Sequence, residues 1–296
     1  MERENKTSQF SDKLFYCSFV LNSNLKKMPA RIFVSILKIS PKFKKAVWKR
    51  VYQFLASKYQ TEDWTFMNYG YQSLNESEKV ELKKEDEINR FFIQLYHCVA
   101  SAAELKNKMV LEVGSGRGGG ADYVERYFQP SKMLGVDYSS NAIEFCNKVF
   151  KDSSVEYKLG DAENLPFENE SLDVVINVES SHCYGDVPAF FGEVKRVLKS
   201  GGYFSYADFR DKEPFERLKK DLVNSGLEIV NSTNISKEVL RALDDFNEEK
   251  MKRFGKMFGS WLKKPLSEFA GMKGSSIYED LSNGNTVYYH YLLRKN

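Results

Sequence analysis

The sequence predicts an α/β protein built on a doubly wound sheet of seven strands, mostly parallel with the last strand antiparallel. The first observation is an alternation of apolar, strand-like runs with amphipathic helical segments, which is typical of a parallel sheet with crossover helices. The second is the stretch VLEVGSGRGGG at 110–120, an apolar run that ends in a glycine-rich turn. The third is an acidic residue at the end of several strands, the edge where such sheets bind ligands.

The predicted elements follow one another in the order that such a sheet requires. Helix starts are indicated by Ser139 and Ser140, which are good N-cap residues, and by Pro188 in a first turn. The predicted strands are 109–113, 132–137, 154–159, 172–178, 202–208, 227–232 and 286–294. The predicted helices are 119–128, 140–150, 187–199 and 213–224, and 236–270 is predicted to be mostly helical.

Two additions to this sheet are predicted. Residues 1–85 are interpreted as a helical, basic N-terminal extension that ends in an aromatic segment, and 86–296 as the main domain with a helical cap insertion at 234–272. Residues 1–60 contain 13 Lys and Arg against 3 Asp and Glu. The amphipathic segments of 13–60 are expected either to pack on the main domain or on a second subunit, as in a homodimer, or to contact a membrane surface.

Composition narrows the possible functions. The chain has 296 residues, a net charge of +3 and three histidines, and its main domain is not basic, so no nucleic-acid partner is expected. The apolar runs are all shorter than a membrane span. The four cysteines lack metal-ligand spacing, which predicts reduced thiols in a cytoplasmic protein and no metal site. They are Cys17, Cys98, Cys146 and Cys183.

The glycine turn predicts a nucleotide-like ligand. Gly114, Gly116 and Gly119 satisfy GxGxxG, and Asp137 follows about twenty residues later. The helix start behind the turn is expected to offer backbone N–H groups to the ligand. This pattern suits both NAD and S-adenosylmethionine, but Glu112 would repel a pyrophosphate and suits a cationic amino-acid group. An NAD-dependent oxidoreductase is therefore the alternative, and it lacks a Tyr-x-x-x-Lys pair outside the terminal strand.

Five motifs carry a family resemblance. EVGSGRGGG, GVDYS, GDAENLPF, LDVVINVESSHCY and VLKSGGYF, in this order and spacing, resemble the class I S-adenosylmethionine-dependent methyltransferases, which have a Rossmann-like fold. More narrowly, RGGGADYV, GDAENLPF, NVESSHCY and the C-terminal segment from Ser267 resemble the phthiotriol/phenolphthiotriol dimycocerosate O-methyltransferases. The resemblance implies S-adenosylmethionine as cofactor and a hydroxyl of an apolar, lipid-like small molecule as acceptor. N- or C-methylation is the alternative.

The resemblance also implies the cofactor-binding residues. They are Glu112, Gly114, Ser115 and Gly116 at the methionine part, Asp137 at the ribose, Tyr138, Asp161, Ala162 and Glu163 at the adenine, and the backbone carbonyl of Asn177 at the amino-acid part. An alternative for Glu163 is to cap the turn before Pro166. Arg117, inside the turn, is expected to pair either with the cofactor carboxylate or with Glu112.

The segment ESSHCY leaves the fourth strand beside the expected methyl group. His182 is the first candidate base, because a neutral imidazole near pH 7 can accept a hydroxyl proton, and Glu179 is the second. The alternative is that His182 only shapes the pocket and that positioning supplies the rate. Tyr69, Tyr71 and Tyr184 are predicted to bind the acceptor, and the first two have a structural anchor as their alternative role.

Overall fold

The computed structural model describes residues 64–75, 79–257 and 271–296. The predicted membrane contact of residues 13–60 and the last part of the predicted cap lie outside these ranges. None of the helices in the described part is long and apolar enough to span a bilayer. The boundary predicted between residues 85 and 86 stays a prediction.

A seven-stranded sheet forms the centre of the described part, with the strand order β3-β2-β1-β4-β5-β7-β6. Its first six strands are parallel, and β7 runs antiparallel between β5 and β6. This confirms the predicted doubly wound sheet. The strands are β1 (Met109–Val113), β2 (Lys132–Asp137), β3 (Glu156–Leu159), β4 (Leu172–Val178), β5 (Leu198–Asp211), β6 (Glu228–Asn234) and β7 (Thr286–Arg294).

Helices cover both faces of the sheet. Ser139 accepts a hydrogen bond from the Ala142 N–H as an N-cap, and Asp186 does the same for the Ala189 N–H. The helices are α1 (Arg90–Ala100), α2 (Gly119–Phe128), α3 (Ser140–Val149), α4 (Val187–Val197), α5 (Lys212–Asn224), α6 (Ser236–Met257) and α7 (Ser276–Ser282). Short 3₁₀ turns lie at Glu87–Asn89 and Ser181–Cys183.

Alternate residues of each central strand face opposite cores. Val110 packs with α1, α2 and α3 on one face, whereas Leu111 packs with α4 and α5 on the other. Because both faces are covered, the central strands are almost continuously apolar, which is typical of parallel sheets. The same burial places the polar side chains of Glu112 and Asn177 inside the protein, near the carboxyl ends of β1 and β4.

Strand β5 is longer than the predicted 202–208 because it is paired along both edges. Leu198 pairs with Leu172 of β4, and the residues from Tyr203 to Asp211 pair with β7. The predicted turn around Gly201 is accommodated as an irregularity in the β4 pairing. Helix α4 therefore ends at Val197, two residues earlier than predicted.

Residues 64–72, which we call the strap, lie across the glycine turn and α1. The Gly119 N–H donates to the Thr65 carbonyl (3.2 Å) and the Tyr71 N–H to the Phe91 carbonyl (2.9 Å). The Phe66 ring is buried against Phe92, with ring centroids 6.1 Å apart. The strap thus packs closely on the main domain through backbone hydrogen bonds and a buried ring.

The described part of the predicted cap packs on the core rather than around a cavity. Phe246 of α6 contacts the rings of Phe91 and Phe92 at 5.4 and 5.3 Å between centroids. Leu243 is likewise buried in the same core. The first half of α6 therefore anchors α1, and an acceptor pocket formed by the cap stays a prediction.

Candidate active site

The glycine turn between β1 and α2 packs directly against the end of β4. Gly114 has φ of +77°, and a Cβ there would lie 2.1 Å from Ser180 Oγ. Only glycine fits both this backbone conformation and this close approach. The Gly114 and Ser115 N–H groups donate to the Val136 carbonyl at 2.7 and 3.0 Å, so the turn is tied to β2 as well.

The N–H groups of this turn are used within the protein, which corrects the expectation that they are offered to the ligand. The Gly116 N–H donates to Asp137 Oδ2 (2.9 Å) and the Gly119 N–H to the Thr65 carbonyl. A pyrophosphate binds through such N–H groups at a helix start. With a carboxylate and a carbonyl already in place, the turn is unsuited to a dinucleotide.

A cavity opens where β1, β2 and β4 end, as the sheet topology requires. Its walls include eight of the ten predicted cofactor-binding residues, together with Glu179 and Tyr184. The eight are Gly114, Ser115, Gly116, Asp137, Tyr138, Asp161, Ala162 and Glu163. Glu112, Asn177, His182, Tyr69 and Tyr71 are not among the lining residues.

Asp137 is oriented by two backbone groups. Its Oδ2 accepts from the Gly116 N–H, and its Oδ1 accepts from the Ser139 N–H (2.8 Å). Burial raises the pKa of Asp137, and these backbone bonds oppose the rise. The carboxylate is therefore held rigidly in the cavity wall, as a residue that binds a ribose diol would be.

Glu112 is buried next to the lining residues Val113 and Tyr96, and its role at the cofactor stays a prediction. Its Oε1 accepts from the Tyr96 hydroxyl (2.7 Å), and the residue is 1% exposed. Burial raises the pKa of Glu112 to about 8, although the Tyr96 hydroxyl and the Ala121 backbone favour the ionised form. The second oxygen, Oε2, is buried without a hydrogen-bond partner in the described part of the chain.

Asn177 ties the ends of β1 and β4 together. Its amide donates to the Val113 carbonyl (2.8 Å), Ser180 Oγ (3.0 Å) and the Tyr184 hydroxyl (3.1 Å). Sequence reasoning expected a backbone contact with the cofactor from this residue. The structure shows its side chain fully buried, where it fixes the position of Tyr184 in the cavity wall.

Arg117 contacts the strap rather than Glu112. Its guanidinium donates to the Trp64 carbonyl and lies 3.7 Å from the centroid of the Phe145 ring. Burial lowers the pKa of Arg117 to about 10, so the side chain stays cationic at neutral pH. Because it lines the cavity, pairing with a cofactor carboxylate remains the open prediction.

Glu179 follows β4 directly and lines the cavity. Its Oε1 accepts from the Tyr69 N–H of the strap (2.9 Å) and from the Tyr288 hydroxyl of β7 (3.0 Å). Burial raises the pKa of Glu179 to about 7, and these two bonds oppose the rise. A carboxylate with this pKa is suited to accept a proton near neutral pH.

His182 is held by Asp208 at the end of β5. The imidazole Nδ1 of His182 lies 2.9 Å from Asp208 Oδ1, and the backbone N–H of His182 donates to Asp208 Oδ2 (3.0 Å). Burial would lower the pKa of His182, but Cys183 and Asp208 raise it to about 10. These neighbours favour the protonated imidazole, whereas the predicted role of His182 as a base requires the neutral ring.

Arg210 shares the same carboxylate. It contacts Asp208 Oδ2 at 3.0 Å and donates to Ser181 Oγ at 2.6 Å. Burial alone would raise the pKa of Asp208, but the positive charges of Arg210 and His182 hold it well below its usual value. Sequence reasoning did not single out either residue, although ADFR lies near the end of the fifth strand and ESSHCY just after the fourth.

The aromatic residues of the strap divide between two surroundings. Trp64 and Met67 line the cavity. The ring of Tyr69 instead packs on Phe209, 5.3 Å between centroids, and Phe209 packs on His182 at 4.5 Å. Tyr71 packs against the core. Acceptor binding by these two tyrosines stays a prediction.

The cavity fits the amino-acid end of S-adenosylmethionine. Ser115 Oγ and Asn68 Oδ1 belong to lining residues and are buried without a hydrogen-bond partner in the described part of the chain. Such atoms normally have a partner, and an ammonium group or a carboxylate would supply one. Among the described residues, no group of three or more His, Cys, Asp and Glu could hold a metal ion.

Comparison with known proteins places the chain in a family. Residues 111–206 match the model of a methyltransferase domain. The phthiotriol/phenolphthiotriol dimycocerosates methyltransferase of Mycobacterium leprae is 36% identical over 85% of this chain and 93% of its own. The fatty-acid O-methyltransferase of Mycolicibacterium smegmatis is 34% identical over 83% and 89%. The structure of the [4+2]-cyclase SpnF superimposes with a TM-score of 0.64, at 19% identity over 83% and 94%.

The sheet order and the structural likeness show a Rossmann-like fold, and the domain match together with the relatives at 34–36% identity identifies a class I methyltransferase. The chain belongs to the family of S-adenosylmethionine-dependent methyltransferases that includes the phthiotriol/phenolphthiotriol dimycocerosates methyltransferases. It is thus an enzyme that uses S-adenosylmethionine as methyl donor, and the oxidoreductase alternative is not favoured.

Proposed function

We propose that this enzyme transfers a methyl group from S-adenosylmethionine to a hydroxyl of an apolar, lipid-like acceptor. The observation that carries the proposal is Glu179, a carboxylate with a pKa of about 7 that lines the cofactor cavity. The names of two relatives, one acting on phthiotriol dimycocerosates and one on fatty acids, support a lipid-like acceptor and transfer to oxygen.

Glu179 is proposed as the group that accepts the hydroxyl proton. S-adenosylmethionine, when bound, supplies an electrophilic methyl group on a positively charged sulfur. Glu179 lies at the end of β4, in the wall of the same cavity as Gly114 and Ser115 of the glycine turn. A base there increases the negative charge on the acceptor oxygen as the new bond forms.

His182 is proposed to orient the acceptor oxygen rather than to take its proton. Asp208 contacts the imidazole at Nδ1, accepts from the backbone N–H of His182, and favours the protonated ring. The ring is therefore better suited to donate a hydrogen bond than to act as a base near pH 7. The charge of His182 lowers the pKa of Glu179, and this interaction supports the proposal that the two groups act on one acceptor.

The apolar part of the acceptor is proposed to lie along the aromatic residues next to these groups. Phe209 packs between His182 and Tyr69 and contacts Tyr288 at 6.1 Å between centroids. An aromatic surface beside a carboxylate and an imidazolium suits a molecule with one polar group on an apolar body.

The proposed function is tested with labelled S-adenosylmethionine and three long-chain acceptors of equal length: an alcohol, a fatty acid and an amine. Mass spectrometry locates the added methyl group. A methyl ether of the alcohol is the expected product. If only the methyl ester of the fatty acid forms, the acceptor group is a carboxylate and not a hydroxyl. Methylation of the amine or of a carbon atom would contradict transfer to oxygen.

A further inference from the structure

Tyr96 of α1 joins three parts of the cofactor site. It lies outside all five motifs that carry the family resemblance, yet it lines the cavity and is 7% exposed. Its hydroxyl donates to Glu112 Oε1 at 2.7 Å, and both groups are buried. A hydrogen bond to a buried carboxylate is stronger than one between neutral groups, so it restrains where the carboxylate lies.

The ring of Tyr96 fills the space between the glycine turn and the strap. A Cβ at Gly120, in the first turn of α2, would lie 2.0 Å from Tyr96 Cε1. On its other side the ring meets Phe66 of the strap edge to face, 5.9 Å between centroids. The absence of a side chain at residue 120 therefore allows this ring to reach Glu112.

The second carboxyl oxygen of Glu112, Oε2, is the one that a further hydrogen-bond donor could reach. Oε1 accepts from Tyr96, whereas Oε2 is buried without a hydrogen-bond partner in the described part of the chain. A buried carboxylate oxygen left in this state costs free energy until a donor reaches it. An ammonium group is a suitable donor, because it supplies both a hydrogen bond and a positive charge.

We propose that Tyr96 is a positioning residue for the cofactor, which directs Glu112 toward the amino-acid part of S-adenosylmethionine and couples it to the strap. This inference rests on the proposed cofactor role of Glu112. Tyr96 does not act on the methyl group itself. Its contribution is to hold the carboxyl group in place before the cofactor binds and to favour the ionised form that an ammonium group requires.

The charged groups around Glu112 set its pKa, and a change in this pKa is the signal by which loss of the Tyr96 hydroxyl can be detected. The titratable groups that interact with Glu112 or with Tyr96 are Asp137 on β2, Cys146 on α3, Tyr157 on β3, Glu179 after β4, and Tyr288 on β7. Asp137 raises the pKa of Glu112, and the Tyr96 hydroxyl lowers it. Removing the hydroxyl therefore raises that pKa further, which makes cofactor binding weaker mainly at the lower pH values.

The test compares Tyr96→Phe with wild type by calorimetry with S-adenosylmethionine between pH 6.5 and 9.5. Titration of the cofactor itself cancels in the ratio of the two dissociation constants. If the loss of the hydroxyl raises the pKa of Glu112 by about one unit, the variant should bind S-adenosylmethionine about tenfold more weakly at pH 6.5, because one pKa unit corresponds to a factor of ten. Above both pKa values the ratio should approach one.

Tyr157→Phe is the matched control. Tyr157 is also buried, and its hydroxyl donates to the Gly118 carbonyl of the same turn (2.8 Å) rather than to a carboxylate. The ratio of the dissociation constants of Tyr157→Phe and wild type should not change with pH. A ratio for Tyr96→Phe that is equally flat would overturn the inference, whereas failure of the wild type to bind S-adenosylmethionine would overturn the cofactor assignment itself.

A second variant keeps the inference testable if Tyr96→Phe does not fold. Glu112→Gln removes the group that titrates. Because Glu112 of the wild type becomes ionised between pH 6.5 and 9.5, the affinity of the wild type for S-adenosylmethionine should rise over this range relative to that of the variant. A pH-independent ratio would show that Glu112 is not the group on which Tyr96 acts.

Discussion

At the scale of residues, the decisive feature is the different state of the two acid–base groups after β4. Burial holds Glu179 close to its point of half-ionisation at neutral pH, whereas Cys183 and Asp208 raise the pKa of His182 and favour its protonated form. Both residues were recognised in the sequence as candidate bases. The proposed division of roles between them depends on the partner of His182, a buried acid that lies 26 residues further along the chain.

Glu179→Gln should abolish most of the methyl transfer and leave cofactor binding nearly intact. Glutamine keeps the size and the acceptor oxygen but cannot take a proton. A general base contributes about 10²–10⁴-fold to a rate, so kcat should fall by about that factor. Unchanged turnover by Glu179→Gln, with any acceptor that wild type methylates, would remove the base assignment.

The activity of the wild type should rise with pH through about 7, because Glu179 must be ionised to accept a proton. Tyr288→Phe removes a hydrogen bond that lowers this pKa, so the midpoint of the kcat–pH profile should move upward. Tyr291→Phe, on the same strand, serves as the control and should leave the midpoint in place. A downward or absent shift in Tyr288→Phe contradicts the assignment.

Asp208→Asn should destabilise the protein strongly. Asp208 is 2% exposed and balances both His182 and Arg210, and removing one partner of a buried ion pair costs about 3–5 kcal/mol. Urea denaturation at pH 7 measures the loss. Asp211→Asn, which alters an exposed residue of the same strand, is the control and should cost less than about 1 kcal/mol.

The pH dependence of this stabilisation has a definite sign. The pKa of Asp208 is lower in the folded protein than in the unfolded chain, so its contribution is complete above about pH 4 and is lost as the pH falls further. Asp208→Asn should therefore show a flatter loss of stability below pH 4 than wild type. Parallel curves would contradict the pairing described here.

At the scale of elements, the contact of α2 with α1 is the tightest close approach around the site. Gly120→Ala places a methyl group within 2.0 Å of the Tyr96 ring, and overpacking of this kind costs about 1–3 kcal/mol. Gly192→Ala, in the exposed face of α4 with no heavy atom within 4 Å, should instead stabilise by about 0.5–1 kcal/mol. Thermal denaturation of both variants checks the pair.

The strap is the element whose motion should respond most to the cofactor. It contributes Trp64, Thr65, Met67 and Asn68 to the cavity wall, so a ligand that binds there stabilises the strap in its present position. Hydrogen exchange of peptides covering 64–72 should slow when S-adenosylmethionine is added. Edge strand β6, which does not line the cavity, should be unaffected, and unchanged exchange of the strap would contradict this role.

At the scale of the whole molecule, cofactor binding should stabilise the folded enzyme selectively. Binding at one hundred times the dissociation constant contributes about 2.7 kcal/mol. S-adenosylmethionine should therefore raise the melting temperature by several degrees, whereas NAD should not, since Asp137 and Thr65 already accept from the N–H groups of the turn. A rise in melting temperature with NAD but not with S-adenosylmethionine would contradict the assignment of the glycine turn to S-adenosylmethionine.

The sheet and most of the cofactor site could be predicted from sequence, because local patterns specify them. Strand periodicity, the glycine turn and the acidic residues near the ends of several strands lie within short stretches, and eight of the ten predicted cofactor residues line the cavity. Tyr96, Asp208 and Arg210 could not be predicted in the same way. Their roles depend on contacts between elements that are distant in the chain, such as Tyr96 with Gly120.

The position of β7 makes completion of the site a late event in synthesis. β7 follows every other strand in the chain but lies between β5 and β6, and it carries the Tyr288 hydroxyl to Glu179. While the ribosome is still making residues before 286, strand β6 has no neighbour within the sheet and Glu179 lacks one of its two donors. A nascent chain of this enzyme can therefore form its cofactor turn early, but it cannot assemble its acid–base centre until this strand has emerged.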